Sequence, residues 1–516
     1  MSNRDKIEKL NTLKKSAQEC GGIERVKQQQ QKGKLTARQR IDLLLDADSF
    51  DELGEFITPL YKEPGSEEEP HWGDAIITGS GKINGRPVFI YSQDFTVLGG
   101  SISEAVGRKV CQIMELALQN KAPVIAIFDS GGARIQEGVD SLCGVGKMLY
   151  YNTLCSGVVP QLSIVVGPSA GGAVYCPAIT DFTFTVKGIS QMYITGPDVI
   201  KAVTHENLTH QELGGAEVHA RKSGVAHFID DSEQDCFNRV RYLLSFLPQN
   251  WEEKPVVYKS SDNPGRTDES LRDLIPDDPQ KAYDMKKLIL SIVDSSEFLE
   301  VHQQFAPNII VGFARFDGKS AGIIAQQPGY MAGVIDIDAS DKAARFVRFC
   351  DAFNIPAVSL VDVPGFMPGS AQEYGGIIRH GAKLIYAYAE ATVPKVTIIT
   401  RKAYGGAYIV MGSKHLGGDI NFAWPSAEIA VMGAEGAVNI ISRKEIAASA
   451  NPEETRQKLI NEYREKFYNP YVAASRGYID DVIDPSETRL KIIRALEMLQ
   501  NKSQYMPPRK HGNIPL

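Results

Sequence analysis

The chain has 516 residues, 63 of them acidic and 56 basic, and a formal net charge of -7. That length exceeds what one hydrophobic core supports, so two large domains are expected, and the 43% hydrophobic and 23% charged composition excludes a disordered chain. The acidic balance speaks against a nucleic-acid binder, and the seven scattered cysteines, with no C-x-x-C pair, give no zinc ribbon or redox dithiol and read as reduced cytosolic thiols.

In chain order, residues 1–13 mix Asp5 and Glu8 with lysines and lack an apolar run, so no secretory or transit signal is expected and the expected location is cytoplasmic. The first 50 residues, with Gln28 to Gln31 and many lysines, read as an exposed helical hairpin, and Glu67-Glu68-Glu69 as a solvated loop. A strand is predicted at 88–91, then a glycine-bearing loop, then a helix. Val106, Val110, Ile113, Met114 and Ala117 recur in that helix at helical spacing behind the capping candidates Ser101 and Ser103. An apolar strand at 123–128 ends in Asp129, and another at 162–166 runs into Gly171-Gly172-Ala173. Residues 158–179 have the length of a membrane span, but Pro160, Gly167, Pro168, Gly171, Gly172 and Pro177 would leave backbone groups unpaired in lipid, so no membrane insertion is expected. The polar, proline-bearing stretch 248–279 is the expected linker between domains at 1–260 and 270–516. The second domain repeats the run: a strand at 320–324, a helix with Phe346, Phe349, Cys350 and Phe353 behind Asp341, and strands at 356–361 and 396–400.

The two halves superimpose at an offset of 233 or 234 positions. Gly85 falls on Gly318, Gly100 on Gly333, Pro123 on Pro356, Asp129 on Asp362, Gly132 on Gly365, and Gly171-Gly172-Ala173 on Gly405-Gly406-Ala407. The predicted strands are apolar throughout rather than alternating, which implies parallel strands covered on both faces. The expected fold class is therefore α/β, a duplicated βαβ architecture.

Four glycine-rich turns follow buried strands, two per half. They lie at Gly131-Gly132-Ala133 and Gly171-Gly172-Ala173, and at Gly365-Phe366 and Gly405-Gly406-Ala407. A strand-to-helix turn exposes successive backbone N–H groups with a helix dipole behind them, which suits a developing oxyanion. One such turn alone would be read as a tight turn that needs glycine; two pairs at matching positions of a duplication favour the functional reading. There is no G-x-x-x-x-G-K-[ST] loop for ATP and no G-x-S-x-G elbow for a serine nucleophile. The nine histidines lack ligand spacing, with His205 and His210 the nearest approach; His227, His380 and His415 read as structural, and no metal site is expected. Two oxyanion sites without an evident base suit a reaction in which a substrate supplies its own base and the protein supplies charge stabilisation and proximity.

Longer motifs carry a resemblance over nearly the whole chain. They are Lys32-Gly33-Lys34-Leu35-Thr36-Ala37-Arg38, Ser92-Gln93-Asp94-Phe95-Thr96, the run from Asp129 to Gly138, Tyr374-Gly375-Gly376-Ile377-Ile378-Arg379-His380-Gly381, the run from Arg401 to Tyr408, the run from Ala423 to Gly433, and the closing Arg509 to Leu516. The chain thereby resembles the carboxyltransferase (beta) subunits of biotin-dependent acyl-CoA carboxylases. The resemblance implies two tandem crotonase-like (ClpP/crotonase) domains, the first on the acyl-CoA side and the second on the biotin side. It also implies a hexamer with active sites where the N-terminal half of one subunit meets the C-terminal half of another. Carboxybiotin, held on a biotin carboxylase or carrier partner, would release CO2; the biotin enolate would take the α-proton of the acyl-CoA, and the thioester enolate would attack CO2. By carry-over, Gly171 and Gly172 would donate to the thioester oxygen and Gly406 and Ala407 to the biotin ureido oxygen, with Gly132, Ala133, Gly365 and Phe366 next in rank.

Some positions depart from that pattern. Ser169 stands where many relatives have cysteine, Gln326-Gln327-Pro328 replaces a common Asn-Gln-Pro, and Val334-Ile335-Asp336-Ile337-Asp338 varies a Cys-Leu-Asp-Ile-Asn run. Ile409 occupies the position that is aspartate in relatives resembling dedicated propionyl-CoA enzymes, so chain-length preference stays open between propionyl-CoA, the expected substrate, and acetyl-CoA, one methylene being worth only about 1–3 kcal/mol. The reverse use, as the subunit of a methylmalonyl-CoA decarboxylase or transcarboxylase, stays open. A crotonase-type hydratase would need a carboxylate base and only one oxyanion site, and a non-catalytic CoA scaffold would not need intact glycines at both.

Overall fold

The structure is a computed structural model that describes residues 2–60, 71–278 and 281–516; Glu67-Glu68-Glu69 and Pro279 lie outside them. The chain divides into two compact units, Met1–Glu253 and Lys254–Leu516.

The first unit holds strands β1 (Asp51–Glu52), β2 (Ile76–Ile83), β3 (Arg86–Gln93), β4 (Val124–Ser130), β5 (Gln161–Ala170), β6 (Phe182–Val186), β7 (Gln191–Tyr193) and β8 (Phe228–Asp230). They pair in the order β1-β2-β3-β4-β5-β6-β8, with β7 on β5; the β1–β2 and β2–β3 pairs are antiparallel and the remaining pairs parallel. The second unit repeats this with β9 (Phe298–Val301), β10 (Ile309–Phe316), β11 (Lys319–Gln326), β12 (Ala357–Val363), β13 (Lys395–Tyr404), β14 (Ile420–Ala423), β15 (Glu428–Ala430) and β16 (Asp481–Val482). The order is β16-β14-β13-β12-β11-β10-β9, with β15 on β13. The duplication thus holds strand for strand, and β4 and β12 are buried along their whole length, as unbroken apolar runs require.

Local chemistry explains the elements. β2 and β3 join through Asn84-Gly85 and β10 and β11 through Asp317-Gly318, all four residues at positive φ. Asn-Gly and Asp-Gly are the pairs that a two-residue type I′ hairpin selects. Helices α1 (Asn3–Gln18), α2 (Ile23–Gln31) and α3 (Ala37–Leu44) open the chain, followed by α4 (Glu104–Asn120), α5 (Val139–Cys155) and α6 (Glu233–Leu244). Ser103 caps α4 by accepting from the Val106 amide at 2.9 Å; the other capping candidate, Ser101, accepts instead from the Arg134 guanidinium at 3.0 Å.

The second unit contributes α7 (Met285–Ile292), α8 (Ile337–Ala352), α9 (Ile377–Glu390), α10 (Gly405–Val410), α11 (Ala434–Ile441), α12 (Arg443–Ala448), α13 (Pro452–Phe467) and α14 (Thr488–Met498). The cap of α8 is Asp336, which accepts from the Ala339 amide at 2.8 Å. Asp341, the expected cap, lies inside the helix and pairs with His380 at 2.8 Å and Lys383 at 3.0 Å.

One expectation changes and another gains detail. The first 50 residues are not all exposed or outside the repeat: α3 buries Ala37, Ile41 and Leu44 and is the counterpart of α7. Arg241 in α6 donates to the Leu44 carbonyl and to Asp46, whose carboxylate takes the Asn84 and Gly85 amides. Arg489 in α14 donates in the same way to Ile292 and to Asp294, whose carboxylate takes the Asp317 and Gly318 amides. The division between the units falls inside the expected linker 248–279, and the described part of that stretch is bonded chain. Asn250 donates to Lys121 at 3.1 Å, Tyr258 to Gly318 at 3.0 Å, and Arg266 to Asp262, Ser291 and Val293, while Leu271 is buried. Among the described residues no helix is long and apolar enough to cross a membrane, and most of the apolar part of 158–179 is strand β5.

Equivalent buried lysines tie a helix to its sheet in each unit. Lys109 donates to the Gly73 and Ile76 carbonyls. Lys342 donates to those of His302, Phe305, Ala306 and Ile309. Burial pushes the Lys342 ammonium down from 10.5 to about 7, with Glu300 opposing that shift and Lys286 adding to it. Between those values the folded protein binds fewer protons than the unfolded chain, so stability rises with pH across that window. Urea unfolding at about pH 7 and about pH 9.5 should show the wild type gaining on Lys342→Met as pH rises; parallel profiles would refute this.

Candidate active site

The ends of the two central strands of each sheet bring two turns together. Past a bulge, β4 and β5 pair again at Ser130–Ser169, and β12 and β13 at Val363–Ala403. After β4 the chain forms a bridge between Ala133 and Ile102; Ile102 donates to the Gly132 carbonyl and Arg134 donates to the Ile102 carbonyl, both at 2.8 Å. After β12 the same bridge joins Phe366 and Ile335, with Ile335 donating to Gly365 at 3.1 Å and Met367 to Ile335 at 2.8 Å. A Cβ on Gly132 would lie 2.8 Å from the Ala170 carbonyl, so the two turns of the first unit are packed against each other. Arg134, buried on Asp74 (2.6 and 3.1 Å), anchors the first of them.

The amides differ in availability. Gly132 donates to the Ser130 hydroxyl at 3.1 Å and Gly171 to the Ile194 carbonyl at 3.1 Å. Gly171, at φ +64°, thus extends the β5–β7 ladder by one residue before the chain turns. Gly172 and Ala173 come next, in the opening turn of the 3₁₀ segment Gly171–Val174, where N–H groups have no intrahelical acceptor. Their counterparts in the opening turn of α10 are Gly406 and Ala407, after Gly405 at φ +57°. In both units the second glycine is exposed and the alanine buried. The Phe366 ring lies 3.9 Å from where a Gly406 Cβ would stand and 3.0 Å from the corresponding point on Gly381. Ile409, one turn into α10, is 42% exposed.

Buried charge lies behind these turns. Asp129 accepts from Lys34 at 2.7 Å, Arg40 at 2.8 Å and Gln29 at 3.3 Å, and its amide donates to Gln93 at 3.1 Å. Asp362 accepts from Arg401 at 3.0 Å and the Lys402 amide at 3.1 Å, and its amide donates to Gln326 at 3.2 Å. Burial raises the Asp362 carboxyl, and Arg401 opposes the shift. Both aspartates are fully buried and spent on holding strand ends. Two of the histidines are held by hydrogen bonds: His227 accepts from the Thr183 amide at 3.1 Å and His210 bonds the Tyr193 phenol at 2.8 Å. Among the described residues no group of three or more His, Cys, Asp or Glu side chains is placed to hold a metal ion.

A cavity of about 560 Å³ opens in the first unit, lined by Arg25, Lys32, Lys34, Phe95, Leu98 and Ile189 among others. Its wall includes Gly99, whose carbonyl accepts from the Gly131 amide at 3.0 Å, so it adjoins the first turn. Lys32 and Lys34 stand in the motif Lys32 to Arg38, which by itself gives them no role; Arg25 carries no signal in the sequence, since only the fold brings α2 to the loop after β3.

The model of the carboxyl transferase domain matches residues 28–514. The chain is 54% identical over 516 residues to the carboxyltransferase subunit of propionyl-CoA carboxylase from Haloferax mediterranei, covering 100% of both chains. It is 52% identical over 513 residues to methylmalonyl-CoA decarboxylase subunit alpha of Veillonella parvula, covering 99% of each. A crystal structure of the transcarboxylase 12S hexamer assembly, with methylmalonyl-coenzyme A and methylmalonic acid bound, superimposes with a TM-score of 0.97 at 51% identity, over 100% of this chain and 99% of that one. The duplicated sheets with their paired turns are thus the tandem crotonase-like fold, and the chain belongs to the carboxyl transferase domain family, whose members here are enzymes of acyl-CoA carboxylation and its reversal.

Proposed function

We propose that this enzyme moves CO2 from carboxybiotin to the α-carbon of a short acyl-CoA, converting propionyl-CoA to methylmalonyl-CoA and acetyl-CoA to malonyl-CoA more slowly. The observation that carries the reading is the occurrence of two equivalent amide pairs, Gly172 with Ala173 and Gly406 with Ala407, each at a helix start behind a buried strand. Two donor pairs suit two oxyanions. The first would hold the thioester oxygen as the α-proton leaves, and the second the ureido oxygen of biotin. Gly171 is left out of the first pair because its N–H is bonded to Ile194.

The cavity of the first unit supports placing the acyl-CoA on residues 1–260 and biotin on 270–516. Arg25 and Lys32, with apolar Phe95, Leu98 and Ile189, suit the phosphates and adenine of a CoA, while Lys34 is paired with Asp129. Biotin comes as a substrate on a carrier; it supplies the carboxyl group and the proton acceptor, and this chain supplies orientation and the N–H donors. We further infer a homohexamer working in the cytoplasm with a biotin carboxylase and carrier partner. The comparable likeness to a decarboxylase subunit supports use of the same site in reverse, direction being set by the partner.

The test is biotin-dependent loss of the carboxyl group from methylmalonyl-CoA and malonyl-CoA with free biotin. Faster loss from methylmalonyl-CoA is expected; a malonyl-CoA preference would make Ile409 the length-determining residue, and no biotin-dependent loss from either would overturn the reading. In the same assay Arg25→Glu and Lys32→Glu should each raise KM for the acyl-CoA about tenfold with kcat little changed, an effect that added salt shrinks. An unchanged KM in both would remove the cavity from the acyl-CoA site.

A further inference from the structure

We propose that Tyr404, Glu428 and Tyr468 are positioning residues for the Gly406–Ala407 amide pair, an inference that rests on the biotin-side reading of that pair. Tyr404 ends β13 and its backbone is the N-cap of α10, directly before Gly405. Its phenol donates a short hydrogen bond to the Glu428 carboxylate on β15. Its ring lies 5.4 Å from that of Tyr468, whose hydroxyl donates to the Met432 carbonyl at 3.1 Å. The three side chains therefore fasten the segment 428–433 to the turn that carries the amides.

That fastening has a reason. β15 pairs with β13 through only three residues, Lys402–Glu428, Ala403–Ile429 and Tyr404–Ala430. Beyond them the Val431 carbonyl comes to 2.9 Å from where a Cβ on Gly405 would stand. A shift of this segment would push on Gly405 and turn the next two amides. The segment also leads into α11, which with α12 and α13 forms a small core of its own around Ala434, Val438 and Ile460. Tyr468, immediately after α13, links that core to Tyr404. Burial first, and then the Glu428 carboxylate, raise the Tyr404 phenol far above its ordinary range, so it remains a donor.

The duplication sharpens the point. The first unit keeps the same strand pairing, Pro168–Gln191 through Ala170–Tyr193, but has Ala170 where the second has Tyr404 and Gln191 where it has Glu428. Strand pairing does not need the clamp, which was added or kept at one of the two turns.

The test uses the full chain in biotin-dependent carboxyl transfer. Tyr404→Phe and Glu428→Ala should lower kcat roughly 10- to 100-fold with KM for the acyl-CoA within about twofold, as expected for amides displaced by a fraction of an ångström. Glu428→Gln keeps an acceptor and should retain activity within about threefold. A kcat within about twofold of wild type in Tyr404→Phe and Glu428→Ala, or a loss in Glu428→Gln as deep as in Glu428→Ala, would overturn the clamp. Gly406→Val separates the two readings. If it is inactive while Tyr404→Phe is normal, the clamp alone fails; if it is near normal, the biotin-side reading fails and the clamp with it.

Discussion

Gly172→Val should lower kcat for carboxyl transfer by about 10²–10³ or more, the loss that follows removal of an oxyanion donor, while the chain still folds. Gly172 has no positive φ, so its backbone accepts a side chain. The residue is exposed, and an added Cβ would meet only the Val145 methyl at 3.2 Å. In the proposed mechanism the cost falls instead on the substrate, because a branched side chain over the Gly172 and Ala173 amides would occupy the place of the thioester oxygen. Gly171→Ala is the contrasting case. It strains a left-handed residue by about 1–2 kcal/mol but leaves the donors intact, because the Gly171 N–H is bonded to Ile194. The pair of variants therefore predicts opposite outcomes, activity lost with stability kept in the first and the reverse in the second. Steady-state kinetics beside thermal unfolding read both, and near-normal kcat in Gly172→Val would remove the first amide pair from the mechanism.

How far the sequence carried this reading depended on what sets each feature. Apolar runs at strand length, Asn-Gly and Asp-Gly hairpins, and glycines at one constant offset are local or periodic, so the doubled sheet was legible. The outer part of the repeat was not. Asp46 and Asp294, with α3 and α7 before them, match at a longer offset, because the chain between β1 and β2 is longer than that between β9 and β10. The signal was present in Asp46 and Phe50 against Asp294 and Phe298, and a search with one fixed offset passes over it. The cap of α8 was misplaced by less than two turns because Asp336, Asp338 and Asp341 are all plausible caps in composition and only the backbone selects Asp336. At the site, the glycine turns were legible, but which amide of the first turn is already bonded within the chain was not. Whether β5 stops at Ala170 or spends one more amide on Ile194 is decided by β7, far along the chain. The roles proposed for Arg25 and Tyr404 were invisible for the same reason, since each would act through a contact that no local pattern encodes.

Arg40→Leu should destabilise the first unit by about 3–5 kcal/mol, the usual cost of breaking a buried ion pair from one side. The guanidinium is fully buried and reaches Asp129 at 2.8 Å, Glu233 at 2.7 Å and the Val166 carbonyl at 3.0 Å. Without it Glu233 keeps the Leu35 amide at 3.1 Å, whereas Asp129 keeps Lys34 and Gln29. Glu233 is thus the group left with an uncompensated buried charge. The double variant Arg40→Leu/Glu233→Leu removes that charge and should recover part of the loss, as apolar replacements of buried pairs do. Activity should follow stability here, because the network lies directly beneath the turn. A Cβ on Gly167 would fall 1.9 Å from the Asp129 carboxylate, so β5 is seated on that side chain only a few residues before Gly172. Urea unfolding of the single and double variants separates the terms. If the double variant is no more stable than Arg40→Leu, the loss comes from packing of the long side chain and not from the stranded carboxylate; if Arg40→Leu unfolds at the wild-type midpoint, the network does not hold the strand end at all.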